Sequence, residues 1–420
     1  MHKRFILFLI SAILAFLCAH FIFGGLQTFI DWYPPQITMQ RTAKYIGLNG
    51  FEFQALVQDL SGVRKARYQL FQNKRKVLDK TIVSKKSELL ISIPVDPTKL
   101  ELRQGAYNLV ITAFDGSIRT NKSSTSISFN IDFTKPRIVS VTNMQNVRVG
   151  GFEMFVFELL NDASIAECVA VDNRNFFLAL PISKFGINSK KNVKASLFAL
   201  PLEHPKTLKL VSYARNYDLY SFKFPHLILP FRGKTSLVPE NVFNNLLTIS
   251  RSLKSGAKFY QLQDCEPIDV SRCFIEGAFI KPVENASYYA VFGQILKTSS
   301  NKSTRLTEDI FWLTHPSSSI RAPSKGIVES FENGILTLNY GCGIRSSFYP
   351  LQYTLVPVGE KFNKGQVIAE VFRTSAEFVG HQITLWGHPV NIREFEDERW
   401  IFDHIIKKLN FVSDVVALKK

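Results

Sequence analysis

The chain carries the same punctuation twice, 101 residues apart. Pro35-Gln36-Ile37 and Gly50-Phe51-Glu52-Phe53 recur as Pro136-Arg137-Ile138 and Gly151-Phe152-Glu153-Met154-Phe155. A repeat of about a hundred residues is the size of one β-sandwich. Phe51, Phe53, Ala55 and Val57 alternate with Glu52, Gln54, Leu56 and Gln58, which is the period of a half-buried strand. Tyr107, Leu109, Ile111 and Ala113 alternate in the same way, and Ser126–Ile131 ends the series. Asp59-Leu60-Ser61-Gly62 and Asp115-Gly116 supply turns between such runs. The expected fold is mainly β, with immunoglobulin-like sandwiches at 34–134 and 135–232 and the linker Asp132–Ile138 between them. One larger β domain is the alternative.

Phe5 to Phe23 is an apolar run of 19 residues, preceded by Lys3 and Arg4. It exceeds the core of a secretory signal and approaches the roughly 20 residues that cross a bilayer. Residues 1–25 therefore read as an uncleaved transmembrane signal anchor with its N-terminus in the cytoplasm, a cleaved signal being the alternative. Residues 233–276 form a connector in which Val242, Phe243, Leu246, Leu247 and Ile249 fall at helical spacing, as on a core-facing helix. Residues 402–420 continue an amphipathic helix through Ile405, Leu409 and Val412.

Between Gly277 and Ile401 the spacing of glycines and prolines carries a further signal. It comprises Gly277-Ala278-Phe279-Ile280-Lys281-Pro282, Phe292-Gly293, Ile320–Val328, Gly341-Cys342-Gly343, Phe348-Tyr349-Pro350-Leu351, Val358–Ile368, Gly387-His388-Pro389-Val390-Asn391 and Trp400-Ile401. In order and spacing this stretch resembles the lysostaphin or LytM type of zinc metallopeptidase, which cuts peptide cross-links of bacterial cell walls. The resemblance implies a small antiparallel β domain of the duplicated hybrid motif type at 277–401, in a bacterial envelope. The anchor would then lie in the inner membrane with the bulk of the chain in the periplasm.

The family's zinc ligands come from an HxGxD motif and from the second His of an HxH motif. A hydrolytic zinc needs three protein donors and an open position for water. Here the resemblance puts Glu308 at the first His slot and Trp312 at the Asp slot, give or take one residue, and Pro350 near an assisting His. The HxH slot aligns either with His381-Gln382-Ile383 or with Phe378-Val379-Gly380. Both alignments replace the ligand His. The domain thus reads as a degenerate member in which the zinc expected for the family has lost its ligands, with no catalytic residue, metal ligand or cofactor. Candidates for the old groove are Glu308, Trp312, Tyr349, His381 and Trp386. Glu308 and Asp309 are expected on a solvated loop. Trp312 is expected to fill the former metal cavity, with stacking on a ligand as the other reading.

Of five cysteines, Cys265 and Cys273 stand close enough in sequence to suggest a disulfide, two reduced thiols being the alternative. No Cys-x-x-Cys pair signals structural zinc. The formal charge of +16 would suit nucleic acid, but an exported chain does not meet it, so anionic envelope polymers or lipid headgroups are the expected counter-charge. Three functions compete. The first is a non-catalytic envelope protein that binds peptidoglycan or regulates a cell-wall hydrolase. The second is an active zinc endopeptidase with shifted ligands, which needs two of His315, His381 and His388 to meet a carboxylate. The third is a purely structural scaffold.

Overall fold

A computed structural model describes Ala15 and residues 31–255 and 273–417, except 143–144, 190–191, 204, 206, 217, 285, 314–317 and 372–376. The apolar run at 5–23, apart from Ala15, lies outside the described residues. Among those described, no helix is long and apolar enough to cross a membrane. The fold is mainly β. Contacts divide the chain into one unit running to Thr134 with Arg215–Asp218, and a second containing Lys135–Ala214 and Leu219–Lys420.

In the first unit, a sheet of Gln36–Arg41, Phe51–Gln58 and Glu88–Val95 faces a five-stranded sheet. The latter runs in the order Tyr45–Ile46, Lys122–Ile131, Gly105–Asp115, Val63–Gln72, Arg75–Val83. The predicted alternation holds: Phe53, Ala55 and Val57 from one sheet meet Leu70, Leu109, Ile111 and Phe129 from the other in one core. Tyr107 donates its hydroxyl to the Arg103 carbonyl at 2.9 Å, tying a strand start to the chain just upstream as sandwich tyrosine corners do. Side chains that alternate in and out need only one packed face, which is why this half reads so clearly in sequence.

In the second unit, a seven-stranded sheet spans residues 138–222, and Gln145–Arg148 pairs in parallel with His226–Leu229. Its central strands are buried on both faces; Phe152–Phe157 is continuously buried. Phe152 stacks on Phe395 with centroids 4.2 Å apart, so one core runs from this sheet into the C-terminal half. There an eight-stranded sheet includes, as neighbours, Ala286–Ala290, Asp309–Leu313, Phe378–Leu385 and Ile344–Tyr349. The expected connector helix forms at Glu240–Ser255, with Phe243, Leu246, Ile249 and Leu253 buried at helical spacing.

The last helix, Lys407–Ala417, is held by a buried polar group of the second unit's sheet. Glu153 accepts from Lys408 at 2.6 Å and faces His404 Nδ1 at 2.5 Å, while Lys408 also donates to Gln145 and to the Met154 carbonyl. Burial lowers the Lys408 pKa, and the Glu153 carboxylate opposes that shift. The expected Cys265–Cys273 bridge is corrected: Cys273 pairs with Cys342, 69 residues away, and Cys265 lies outside the described residues.

Candidate functional site

The residues that the resemblance puts in the catalytic slots fall on or beside three adjacent strands. Asp309–Leu313 lies antiparallel to Phe378–Leu385, with Asp309 opposite His381, Ile310 opposite Gly380 and Trp312 opposite Phe378. Ile344–Tyr349 flanks the latter strand, with Phe348 opposite His381 and Tyr349 opposite Gly380. Opposed residues of antiparallel strands share a face, and successive residues alternate. One face therefore carries Ile310, Trp312, Phe378, Gly380 and Tyr349. The reverse carries Asp309, Phe311, Val379, His381 and Phe348.

Ligands of one ion must converge, so they must share a face. The slot at Trp312 falls with Phe378 and Gly380. With Trp312 taken as the Asp slot, the register puts Phe378 and Gly380 on the same face as Trp312, and Val379 and His381 on the other.

That face is covered. The connector helix packs Leu246, Ile249 and Leu253 with Ile310 and Phe378, and Tyr349 lies against the same cluster. A Cβ on Gly380 would stand 2.4 Å from Ile249 Cγ2 and 2.8 Å from Leu253 Cδ1. Gly380 has no left-handed backbone angle, so the approach of the helix, not backbone freedom, is what requires glycine there. Sequence reasoning found the helix and missed its seat. The visible signal was a glycine inside a strand pattern, which marks close approach.

Zinc takes nitrogen, sulfur or oxygen donors. The slot face offers the sec-butyl of Ile310, the indole of Trp312, the phenyl of Phe378, the phenol of Tyr349 and no side chain at Gly380. Glu308 is the one slot residue with a carboxylate. Its Oε2 accepts from Thr307 N at 2.9 Å and Thr307 Oγ1 at 2.8 Å, and its Oε1 is buried without a hydrogen-bond partner. One carboxylate is not a zinc site, and this donor set does not fit the metal. Among the described residues of the second unit, no three His, Cys, Asp or Glu side chains gather close enough to share an ion. His388 instead lies against Phe177, centroids 4.9 Å apart, and His315 is outside the described residues.

Two expectations are corrected by burial. Glu308 and Asp309 are fully buried, not on a solvated loop. Trp312 is 50% exposed and fills no cavity; on the same face it is Ile310 and Phe378 that pack against the helix. Of the five candidate groove residues, Trp312 and Tyr349 share the covered face. Trp386 is buried in the turn, its backbone N donating to Gly343 O at 2.7 Å.

His381 is buried on the reverse face, its ring stacked on Phe348 with centroids 4.2 Å apart. Both ring nitrogens lack a hydrogen-bond partner, and burial alone pushes the pKa down to about 3. Such an imidazole is a neutral packing group at neutral pH. Asp309 Oδ1 accepts from Phe292 N at 2.7 Å, and Oδ2 meets Arg393 Nε at 3.2 Å. Burial raises the Asp309 pKa to about 6 against the pull of these two donors. Arg393 in turn lies 3.6 Å over the Tyr288 ring, and the Tyr288 hydroxyl donates to Glu396 at 2.9 Å. This polar strut braces the strand from behind; no local sequence pattern announces it, because its members come from three distant segments.

No protein-family model matches the chain. No curated protein matches it either. Among solved structures it is similar to an M23 metalloprotease, pseudoalterin, from the deep sea: 11% identity, TM-score 0.23, over 28% of this chain and 75% of that one. It is also similar to a zinc-containing peptidase from Vibrio cholerae: 10% identity, TM-score 0.26, over 69% of this chain and 80% of that one. A chimeric titin Z1Z2 tandem is similar over 47% of this chain and all of its own, with 9% identity and a TM-score of 0.17. Likeness at this level assigns no activity.

Proposed function

We propose that this is a membrane-anchored envelope protein whose LytM-like domain works without catalysis, binding peptidoglycan or regulating a cell-wall hydrolase. One observation carries the reading: the slot for the zinc-ligating histidine is Gly380, and Ile249 of the connector helix occupies the space a side chain would need. A hydrolase would have to keep that face open to water and substrate. This chain uses it to seat a helix.

The inner-membrane location rests on the apolar run at 5–23, and the wall-related partner on the sequence resemblance. The half-exposed Trp312, at the edge of the covered face, is the aromatic best placed to meet such a partner. Two measurements test the reading on the full chain, purified in detergent without chelators. Zinc content should be far below one ion per chain, and isolated peptidoglycan should stay undigested. Stoichiometric zinc with peptidoglycan cleavage overturns the proposal. Co-sedimentation with peptidoglycan, weakened in Trp312→Ala, supports the wall-binding form; capture of a wall hydrolase that Trp312→Ala weakens supports the regulatory form. Neither form stands if both partners are ignored.

A further inference from the structure

The turns Asp59–Gly62 and Asp115–Gly116 of the first sandwich do more than reverse the chain. They are drawn together: Gly116 N donates to Gly62 O at 2.7 Å, and a Cβ on Gly116 would stand 2.7 Å from Ser61 O. Asp31 joins them, because Asn121 Nδ2 donates both to Asp31 O at 2.7 Å and to Asp115 Oδ2 at 2.8 Å. One side-chain oxygen from each of Asp31, Asp59 and Asp115 then lies within 4.8 Å of the other two.

Each carboxylate uses one oxygen for local structure. Asp31 Oδ1 accepts from Tyr33 N at 3.0 Å. Asp59 Oδ1 accepts from Ser61 N at 2.9 Å and Ser61 Oγ at 2.6 Å. Asp115 Oδ2 accepts from Ser117 Oγ at 2.7 Å as well as from Asn121. The other oxygens of the two most buried acids, Asp31 Oδ2 and Asp115 Oδ1, are fully enclosed and have no hydrogen-bond partner. Asp31 is 7% exposed and Asp115 is 0% exposed. Among the described residues none of the three enters an ion pair.

Enclosed carboxylate oxygens without donors are costly unless paired or bound to a metal. Three like charges gathered in one place aggravate this. Oxygens across a bound calcium stand up to about 5 Å apart, twice a ligand distance of about 2.4 Å, which matches the cluster. Magnesium would need a tighter, regular octahedron and usually keeps several waters.

We propose that Asp31, Asp59 and Asp115 form a calcium site that fastens the chain at Asp31 to the paired turns at one end of the first sandwich. Asp31 stands eight residues after the apolar run ends at Phe23. Bound calcium thereby ties the start of the sandwich at Asp31 to its paired turns. The inference does not depend on whether the C-terminal domain is catalytic.

The test uses the full chain in detergent, stripped with a chelator and re-equilibrated with radioactive calcium at about 1 mM, the range of extracellular modules. One calcium per chain is expected, with a rise in the melting temperature that equimolar magnesium does not reproduce. Asp115→Asn should abolish both. Asp59→Asn, at the partly exposed position, is the second variant, since it spares the enclosed hydrogen bonds of Asp115; it should weaken binding at least tenfold. Absence of calcium uptake by the wild-type chain overturns the proposal. Uptake unchanged in Asp59→Asn, or an equal response to magnesium, overturns it too. So does a melting temperature that rises with acid and ignores calcium, because three aspartates sharing protons would behave in that way.

Discussion

Gly380→Ala asks directly whether the connector helix is seated as tightly as the geometry states. The added methyl would stand 2.4 Å from Ile249 Cγ2 and 2.8 Å from Leu253 Cδ1. Carbon atoms rest about 3.5–4.0 Å apart, so the helix must withdraw by roughly 1 Å or the strand must bow. Ile249 is β-branched and cannot turn its methyl aside without leaving its helical rotamer. The backbone at Gly380 accepts alanine without strain, so the steric term is isolated. Overpacking of this kind costs about 1–3 kcal/mol. The assay is denaturant unfolding of the full chain in detergent, read as a shift of the midpoint at constant slope, with Ile249→Ala and the double variant completing a cycle. Ile249→Ala alone should lose about 2–5 kcal/mol by leaving a cavity. The double variant should be more stable than the sum of the singles by about 0.5–3 kcal/mol, because each change makes room for the other. Additive effects, or a Gly380→Ala change inside about 0.5 kcal/mol, would refute the claim that this helix is seated directly on Gly380.

Replacing Cys273 and Cys342 together by serine opens a link of 69 residues and should destabilise the fold by about 4 kcal/mol in the loop-entropy description, seen by comparing thermal melts of this variant and the wild-type chain without reductant. Glu153→Gln leaves the buried Lys408 ammonium without its carboxylate and should cost about 3–5 kcal/mol, most of it recovered when Lys408→Met is added; equal melts for the single and double variants would contradict the reading. His381 is held neutral with its pKa lowered to about 3, so the unfolded chain takes up a proton below about pH 6.5 while the folded chain does not. Stability is therefore lost as pH falls from about 6.5 towards 3, by about 2 kcal/mol at pH 5 for this one group. His381→Phe keeps the ring stack and should flatten that part of the stability–pH curve; a curve parallel to the wild type would rule the mechanism out.

What could be read from sequence followed burial. Phe53, Ala55 and Val57 alternate with polar neighbours because their sheet has one packed face, and the strand was evident. Met154–Phe157 shows no alternation because both faces are packed, so a strand without period hid a sheet joined to the C-terminal half. The connector helix was legible in the spacing of Phe243, Leu246 and Ile249. Its seat was not, because Ile310 and Gly380 come from segments far along the chain. Cys273 has Cys265 as a sequence neighbour, yet its bond goes to Cys342, which the fold brings to a Cα distance of 5.2 Å. Asp59 and Asp115 looked like ordinary turn residues because a turn explains each of them singly. Only the pairing of the two turns puts their charges together.

The side chains on this face also bear on whether a metal site could be built there. In an open groove a single substitution can add a ligand. Here Ile310 and Phe378 are packed beneath the helix and Gly380 is the opening through which Ile249 makes contact. A donor introduced at 310 or 378 would bury a polar group without partners, at roughly 1–3 kcal/mol each. One at 380 would meet the helix before it could meet a metal. Three such changes would have to be tolerated before any zinc repaid them, and the helix would have to leave as well. Stability alone therefore opposes each first step towards a metal site on this face.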